Sequence, residues 1–200
     1  MKIALLGGTF DPPHKGHELI ARYMLANKTY PVDEVWFVPT YEQKYFGIDP
    51  AKNASPYDVR LEMTKLLSET IPHTRVSTIE RDYKLTGQTK ELFQHLPKGN
   101  EYAFIIGTDQ LASFHRWGDY EILLRTMPFL VYPRPDHSKE PRYDGMIFLD
   151  GDAPVNNCSS TQIRTMITRG QQVNDLVLPE VMHVIEREGL YQPSHRKEQK

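Results

Sequence analysis

The chain has 200 residues, 39% apolar and 25% charged, enough for one ordinary domain that buries its own core. A net charge of -2 provides no basic field, which argues against nucleic acid as a partner. The one cysteine, Cys158, excludes an intrachain disulfide framework, and no apolar run approaches the roughly 20 residues that span a bilayer.

The chain starts directly in an apolar run, Lys2–Leu6, with no signal-peptide pattern, and a soluble, cytoplasmic protein is expected. Further strand-like runs occur at Glu34–Val38, Arg75–Ile79, Tyr102–Ile106, Phe129–Tyr132 and Met146–Leu149. Helical patterns lie between most of them. One follows residues 7–17, with Leu19, Ile20, Tyr23 and Met24 on one face. A second opens at Ser55-Pro56, a cap followed by the residue that suits the first helical position, with Leu61, Leu66 and Leu67 toward the sheet. Others are expected at Thr89–His95 and Glu121–Thr126. This alternation predicts an α/β fold, a doubly wound and mostly parallel sheet of about six strands. Residues 1–155 form that core. A small helical part then covers 156–192, with helices at Ser160–Arg169 and Pro179–Glu188, each followed by glycine. Residues 193–200 read as a polar tail. The stretches 40–54 and 133–145 are long loops at the C-terminal ends of strands, where open α/β sheets bind ligands.

The most informative segment is Gly7-Gly8-Thr9-Phe10-Asp11-Pro12-Pro13-His14-Lys15-Gly16-His17, between the first strand and the first helix. Glycines let backbone N–H groups approach a ligand, and a helix N-terminus favours an anion. Two histidines three apart at that position suit the phosphates of a nucleotide. A His-x-x-His pair also serves metals, but zinc needs further ligands that no nearby cluster supplies. Asn157-Cys158-Ser159-Ser160-Thr161-Gln162-Ile163-Arg164 is a second phosphate candidate, with hydroxyl and backbone donors at a helix start and an arginine one turn in. Gly107-Thr108-Asp109 ends a strand with a carboxylate suited to ribose hydroxyls, to a metal–nucleotide or to capping a helix. Cys158 itself reads as a small apolar filler.

The first segment resembles the G-T-F-D-P-x-H-x-G-H motif of the adenylyl- and cytidylyltransferase superfamily, matching every fixed position from Gly8 to His17. The second resembles its C-terminal I-S-S-T-x-I-R motif, with Cys158 in place of the first isoleucine. Three further segments resemble the nicotinate mononucleotide adenylyltransferase branch. They are Ser113-Phe114-His115-Arg116-Trp117, Val131-Tyr132-Pro133-Arg134-Pro135, and Leu178-Pro179 through Gly189-Leu190-Tyr191.

This resemblance implies transfer of the adenylyl group of ATP to nicotinate mononucleotide in NAD biosynthesis, giving nicotinate adenine dinucleotide and pyrophosphate. Mg²⁺ would be carried with the ATP, with no metal site of the protein's own. The implied catalytic residues are His14, His17, Lys44 and Arg164. ATP would be held by Gly7, Gly8, Thr9, Phe10, Gly16, Gly107, Asp109, Ser159, Ser160, Thr161 and Arg164. The mononucleotide would meet Thr9, Lys44, Thr86, Thr89, Asp109, Trp117 and Arg134, with Trp117 stacking on the pyridine ring. Two places depart from the branch. Lys44 lacks the Pro-Pro-His usually around it, and Thr86-Gly87-Gln88-Thr89-Lys90-Glu91-Leu92 stands where S-Y-T-x-D-T-L is common. Nicotinamide mononucleotide or phosphopantetheine as acceptor, and a non-catalytic nucleotide sensor, are the alternatives. Oligomeric state, including a homo-oligomer, is left open.

Overall fold

Six short segments pair through their backbones into one parallel sheet, and the computed structural model describes it through residues 1–42, 54–135, 137–149, 153–154 and 157–192. The strands are β1 (Lys2–Gly8), β2 (Glu34–Pro39), β3 (Thr74–Val76), β4 (Glu101–Gly107), β5 (Phe129–Tyr132) and β6 (Met146–Phe148). Their order is β3-β2-β1-β4-β5-β6, and every pairing is parallel. Register places Gly8 beside Pro39 and Leu6 beside Ile105. The strand order therefore reverses at β1 and β4, and a crevice opens at their C-terminal ends.

The helices are α1 (Lys15–Ala26), α2 (Tyr57–Glu69), α3 (Ile79–Asp82), α4 (Thr89–His95), α5 (Leu111–Phe114), α6 (Tyr120–Thr126), α7 (Ser160–Thr168) and α8 (Pro179–Arg187). Alternate strand residues serve opposite faces, as the two-residue period of a strand requires. Ala4, Leu6, Val35, Phe37 and Ile105 pack with Ile20, Ala21 and Met24 of α1 and Leu67 of α2. Ile3, Leu5, Val38, Phe104 and Ile106 pack with Leu92 of α4, Leu111 and Phe114 of α5 and Leu123 of α6. A third cluster joins Met63 of α2 to Ile163 and Ile167 of α7 and Val181, Val184 and Ile185 of α8, with Cys158 buried among them. Each such aliphatic side chain contributes roughly 1.5–3 kcal/mol when fully buried.

Three expectations are corrected. The third strand ends at Val76, and Ile79 opens α3, because an apolar residue at the first position of a short helix looks the same in sequence as the end of a strand. Ser55 does not cap α2. Pro56 occupies the cap position without a side-chain bond, while Ser55 turns its N–H to the Asp11 carboxylate and its hydroxyl to Tyr191. Leu66 packs against the α7–α8 cluster and not with the sheet, since α2 is covered on two sides. Both C-terminal helices stop as expected, with Gly170 at φ 68° and Gly189 at φ 60°, the left-handed conformation glycine adopts freely.

Candidate active site

Beyond Gly8 the chain turns sharply into α1. Phe10 holds φ 53°, a conformation costly for a residue with a side chain, and its ring offsets that cost by burial against Phe37 and His17. His14 is the cap residue of α1. Its Nδ1 accepts the Gly16 N–H at 3.1 Å, and the His17 Nδ1 accepts the His14 N–H at 3.1 Å. The two histidines thus build a reciprocal capping box from imidazoles. Their rings lie 3.8 Å apart, tilted by 33°. A side-chain carbon at residue 16 would come within 2.9 Å of the His14 ring, so Gly16 is what lets that ring sit over the helix start.

Capping decides the proton arrangement. A backbone N–H only donates, so both Nδ1 atoms are bare and the neutral rings carry their protons on Nε2. Burial, reinforced by the Arg134 guanidinium, pulls the His14 pKa down to about 3. Burial, then His14 and Arg134, likewise holds His17 well below its ordinary value. Both rings are neutral at pH 7, each with one N–H left to donate.

Around this turn lies a clamp with no obvious signal in the sequence. Arg60 of α2 is 4% exposed and donates from Nη1 to the Thr9 carbonyl at 2.7 Å. It also donates from Nη2 to the Thr40 carbonyl at 2.9 Å and from Nε to Ser55 at 3.0 Å. The buried Asp11 carboxylate accepts the Tyr191 hydroxyl at 2.6 Å and the Ser55 N–H at 3.2 Å. Arg164 of α7 donates to the Asp11 carbonyl at 2.7 Å and to Thr161 Oγ1 at 3.2 Å. Ser160 donates to the Pro12 carbonyl at 2.8 Å, while Ser159 caps α7 through Gln162 N–H. The second phosphate candidate therefore sits directly on the first. A lone arginine on an amphipathic helix reads as surface in a sequence. Only the tertiary fold reveals that Arg60 is enclosed by three carbonyls.

The remaining candidates fall into two cavities. A cleft of about 320 Å³ is lined by Gly7, Gly8 and Thr9 of the turn, with Thr86, Thr89 and Trp117 opposite. Trp117 also packs against Phe104 and Phe114, so its core role and its place in the cleft coexist. Thr86 is engaged within the protein, its N–H and hydroxyl both donating to Glu91. A second cavity of about 320 Å³ is lined by Asp109, Arg134, His137, Asn157, Cys158 and Ser159. Asp109 lies 3.7 Å from the Arg134 Nε, and a side-chain carbon at Gly107 would fall 2.0 Å from its carboxylate. Arg134 thus keeps company with the Ser159 segment and not with Trp117. Lys44 lies outside the described residues.

The fold and this site define a nucleotidyltransferase of the cytidylyltransferase-like family, whose model matches residues 5–166. A probable nicotinate-nucleotide adenylyltransferase of Anaeromyxobacter sp. (strain K) is 32% identical over 196 residues, covering 95% of this chain and 96% of its own. The nicotinate-nucleotide adenylyltransferase of Bacillus subtilis (strain 168) is 31% identical over 197 residues, covering 96% of this chain and 98% of its own. The chain belongs to the nicotinate-nucleotide adenylyltransferase family. A Plasmodium falciparum nicotinic acid mononucleotide adenylyltransferase, solved with NaAD, shares the fold with a TM-score of 0.69 at 21% identity, over 95% of this chain and 97% of that one.

Proposed function

We propose that this protein transfers the adenylyl group of ATP to nicotinate mononucleotide, forming nicotinate adenine dinucleotide and releasing pyrophosphate. An oxygen of the mononucleotide 5′-phosphate attacks the α-phosphorus of ATP. The bond from that phosphorus to the oxygen bridging to the β-phosphate breaks, and pyrophosphate leaves with the bonding pair. The attacking phosphate is already an anion, so no enzyme nucleophile is needed. Catalysis then rests on positioning and on donors aimed at developing charge.

The observation that carries this reading is the imidazole capping box. It leaves two Nε2–H donors at the mouth of a glycine turn and a helix N-terminus. Neutral rings in a buried site donate without reorganising. Arg164 and the donors at the start of α7 close on the triphosphate from the other side, and Lys44 adds a cation. Gly107 and Asp109 hold the ATP ribose. The mononucleotide occupies the cleft between Thr9 and Trp117, whose indole offers its face to the pyridine ring. Among the described residues no group of three or more His, Cys, Asp or Glu side chains is placed to hold a metal ion. Magnesium enters as part of the ATP substrate, with most of its ligands from phosphate and water.

The test is pyrophosphate release with MgATP and one acceptor at a time. Release with nicotinate mononucleotide and not with phosphopantetheine supports the reading; release with phosphopantetheine alone, or with no acceptor, overturns it.

A further inference from the structure

The cleft assigned to the mononucleotide is electrically unusual. Among its described lining residues one side chain is ionisable, and it is a carboxyl, that of Glu80 in α3. Glu80 is 5% exposed. The hydrogen bond it accepts comes from the Tyr41 N–H at a long 3.4 Å. The Arg60 guanidinium, which sits nearby on α2, is spent on three carbonyls. Glu91 of α4 faces Glu80 as a like charge, and Tyr57 of α2 lies on the same side. The Glu91 carboxylate is itself held by Thr86. Burial first, and then Glu91, push the Glu80 carboxyl up to about 7 against the opposing pull of Tyr41 and Arg60. A carboxyl so placed changes charge within the physiological range.

The candidate pyridine substrates differ in charge where this matters. The ring nitrogen is a permanent cation in both. In the nicotinate form a ring carboxylate cancels it, whereas in the nicotinamide form the ring keeps its positive charge. An anion lining the cleft repels the carboxylate and attracts the bare pyridinium, while a neutral carboxyl does neither.

We infer that Glu80 is a specificity-determining residue: neutral, it admits the ring carboxylate, and ionised, it shifts the choice toward the amide. The inference rests on the mononucleotide adenylyltransferase reading above. It predicts that the acid-to-amide preference depends on pH, although both substrates use the same catalytic groups.

The experiment measures kcat/KM for nicotinate and nicotinamide mononucleotides from pH 6 to 8.5 in the wild type, Glu80→Gln and Glu91→Gln. The ratio of the two constants cancels every titration common to both reactions, including those of the histidines and of the substrate phosphate. In the wild type the acid-to-amide ratio falls by about tenfold across this range, an effect expected of unit charges sharing one cleft. In Glu80→Gln the ratio stays flat, near the wild-type value at low pH, while Glu91→Gln retains a slope. A flat wild-type ratio, or an undiminished slope in Glu80→Gln, overturns the inference and leaves the adenylyltransferase reading standing. Turnover of neither mononucleotide removes that reading and the inference together.

Discussion

Replacing Arg60 by methionine keeps an unbranched apolar stem and deletes the guanidinium with its charge and donors. The carbonyls of Thr9, Thr40 and Ser55 then lose partners at 2.7, 2.9 and 3.0 Å. Hydrogen bonds from a charged group contribute about 1.5–3 kcal/mol each. The Thr9 and Thr40 ends border the open cleft, where water can replace part of the loss. A net destabilisation of about 3–5 kcal/mol follows, the range found when one side of a buried charged arrangement is removed. For a chain of this size that lowers Tm by roughly 6–20 °C. Urea denaturation measures it directly, as a lower midpoint with an unchanged slope. Because Arg60 ties the phosphate turn to the end of β2, kcat/KM also drops by about tenfold or more where the variant is still folded. A loss of stability under about 1 kcal/mol would refute the clamp.

Other substitutions separate capping from chemistry. His17→Ala costs about 1 kcal/mol of stability through the lost cap and at least about a hundredfold in turnover; near-normal turnover in a folded variant contradicts the assignment. Gly107→Ala, whose new carbon would meet the Asp109 carboxylate at 2.0 Å, raises the KM for ATP by roughly tenfold with little effect on the mononucleotide. An equal effect on both substrates would count against Asp109 as an ATP contact. Acid should also weaken the free enzyme. His14 titrates near 6.5 when unfolded and about 3 when folded, so below pH 6.5 protons bind the unfolded chain preferentially and stability falls until about pH 3. Between pH 6.5 and 4.5 His14 alone accounts for roughly 2–3 kcal/mol. His14→Asn, which keeps a capping acceptor, loses that part of the pH dependence; an identical profile in the variant refutes it.

Apolar runs and glycine stops made the sheet and the last two helices legible before any coordinates, because a parallel sheet buries its strands on both faces. The α3 boundary was not legible, since Ile79 fits a strand or a helix start equally well. The histidine pair could be placed at a helix start from the sequence, yet not as a capping box, for imidazole rarely caps a helix and the tautomer depends on backbone geometry. Arg60 and Glu80 left no trace in the pattern, and Tyr191 showed only as the end of a family segment, with no sign of its partner. Each is a polar residue whose importance comes from burial between segments far apart in sequence: Tyr191 reaches Asp11 across 180 residues. That Arg134 would lie beside Asp109 and Ser159 was likewise not legible from its motif.

The most direct measurement follows the fate of the α-phosphorus. ATP carrying radioactive phosphorus at that position is mixed with Mg²⁺, nicotinate mononucleotide and enzyme, and the products are separated and their radioactivity counted. The account predicts label in nicotinate adenine dinucleotide, one unlabelled pyrophosphate per dinucleotide, and loss of both in His17→Ala. Label appearing in AMP or ADP with no dinucleotide would contradict adenylyl transfer to this acceptor.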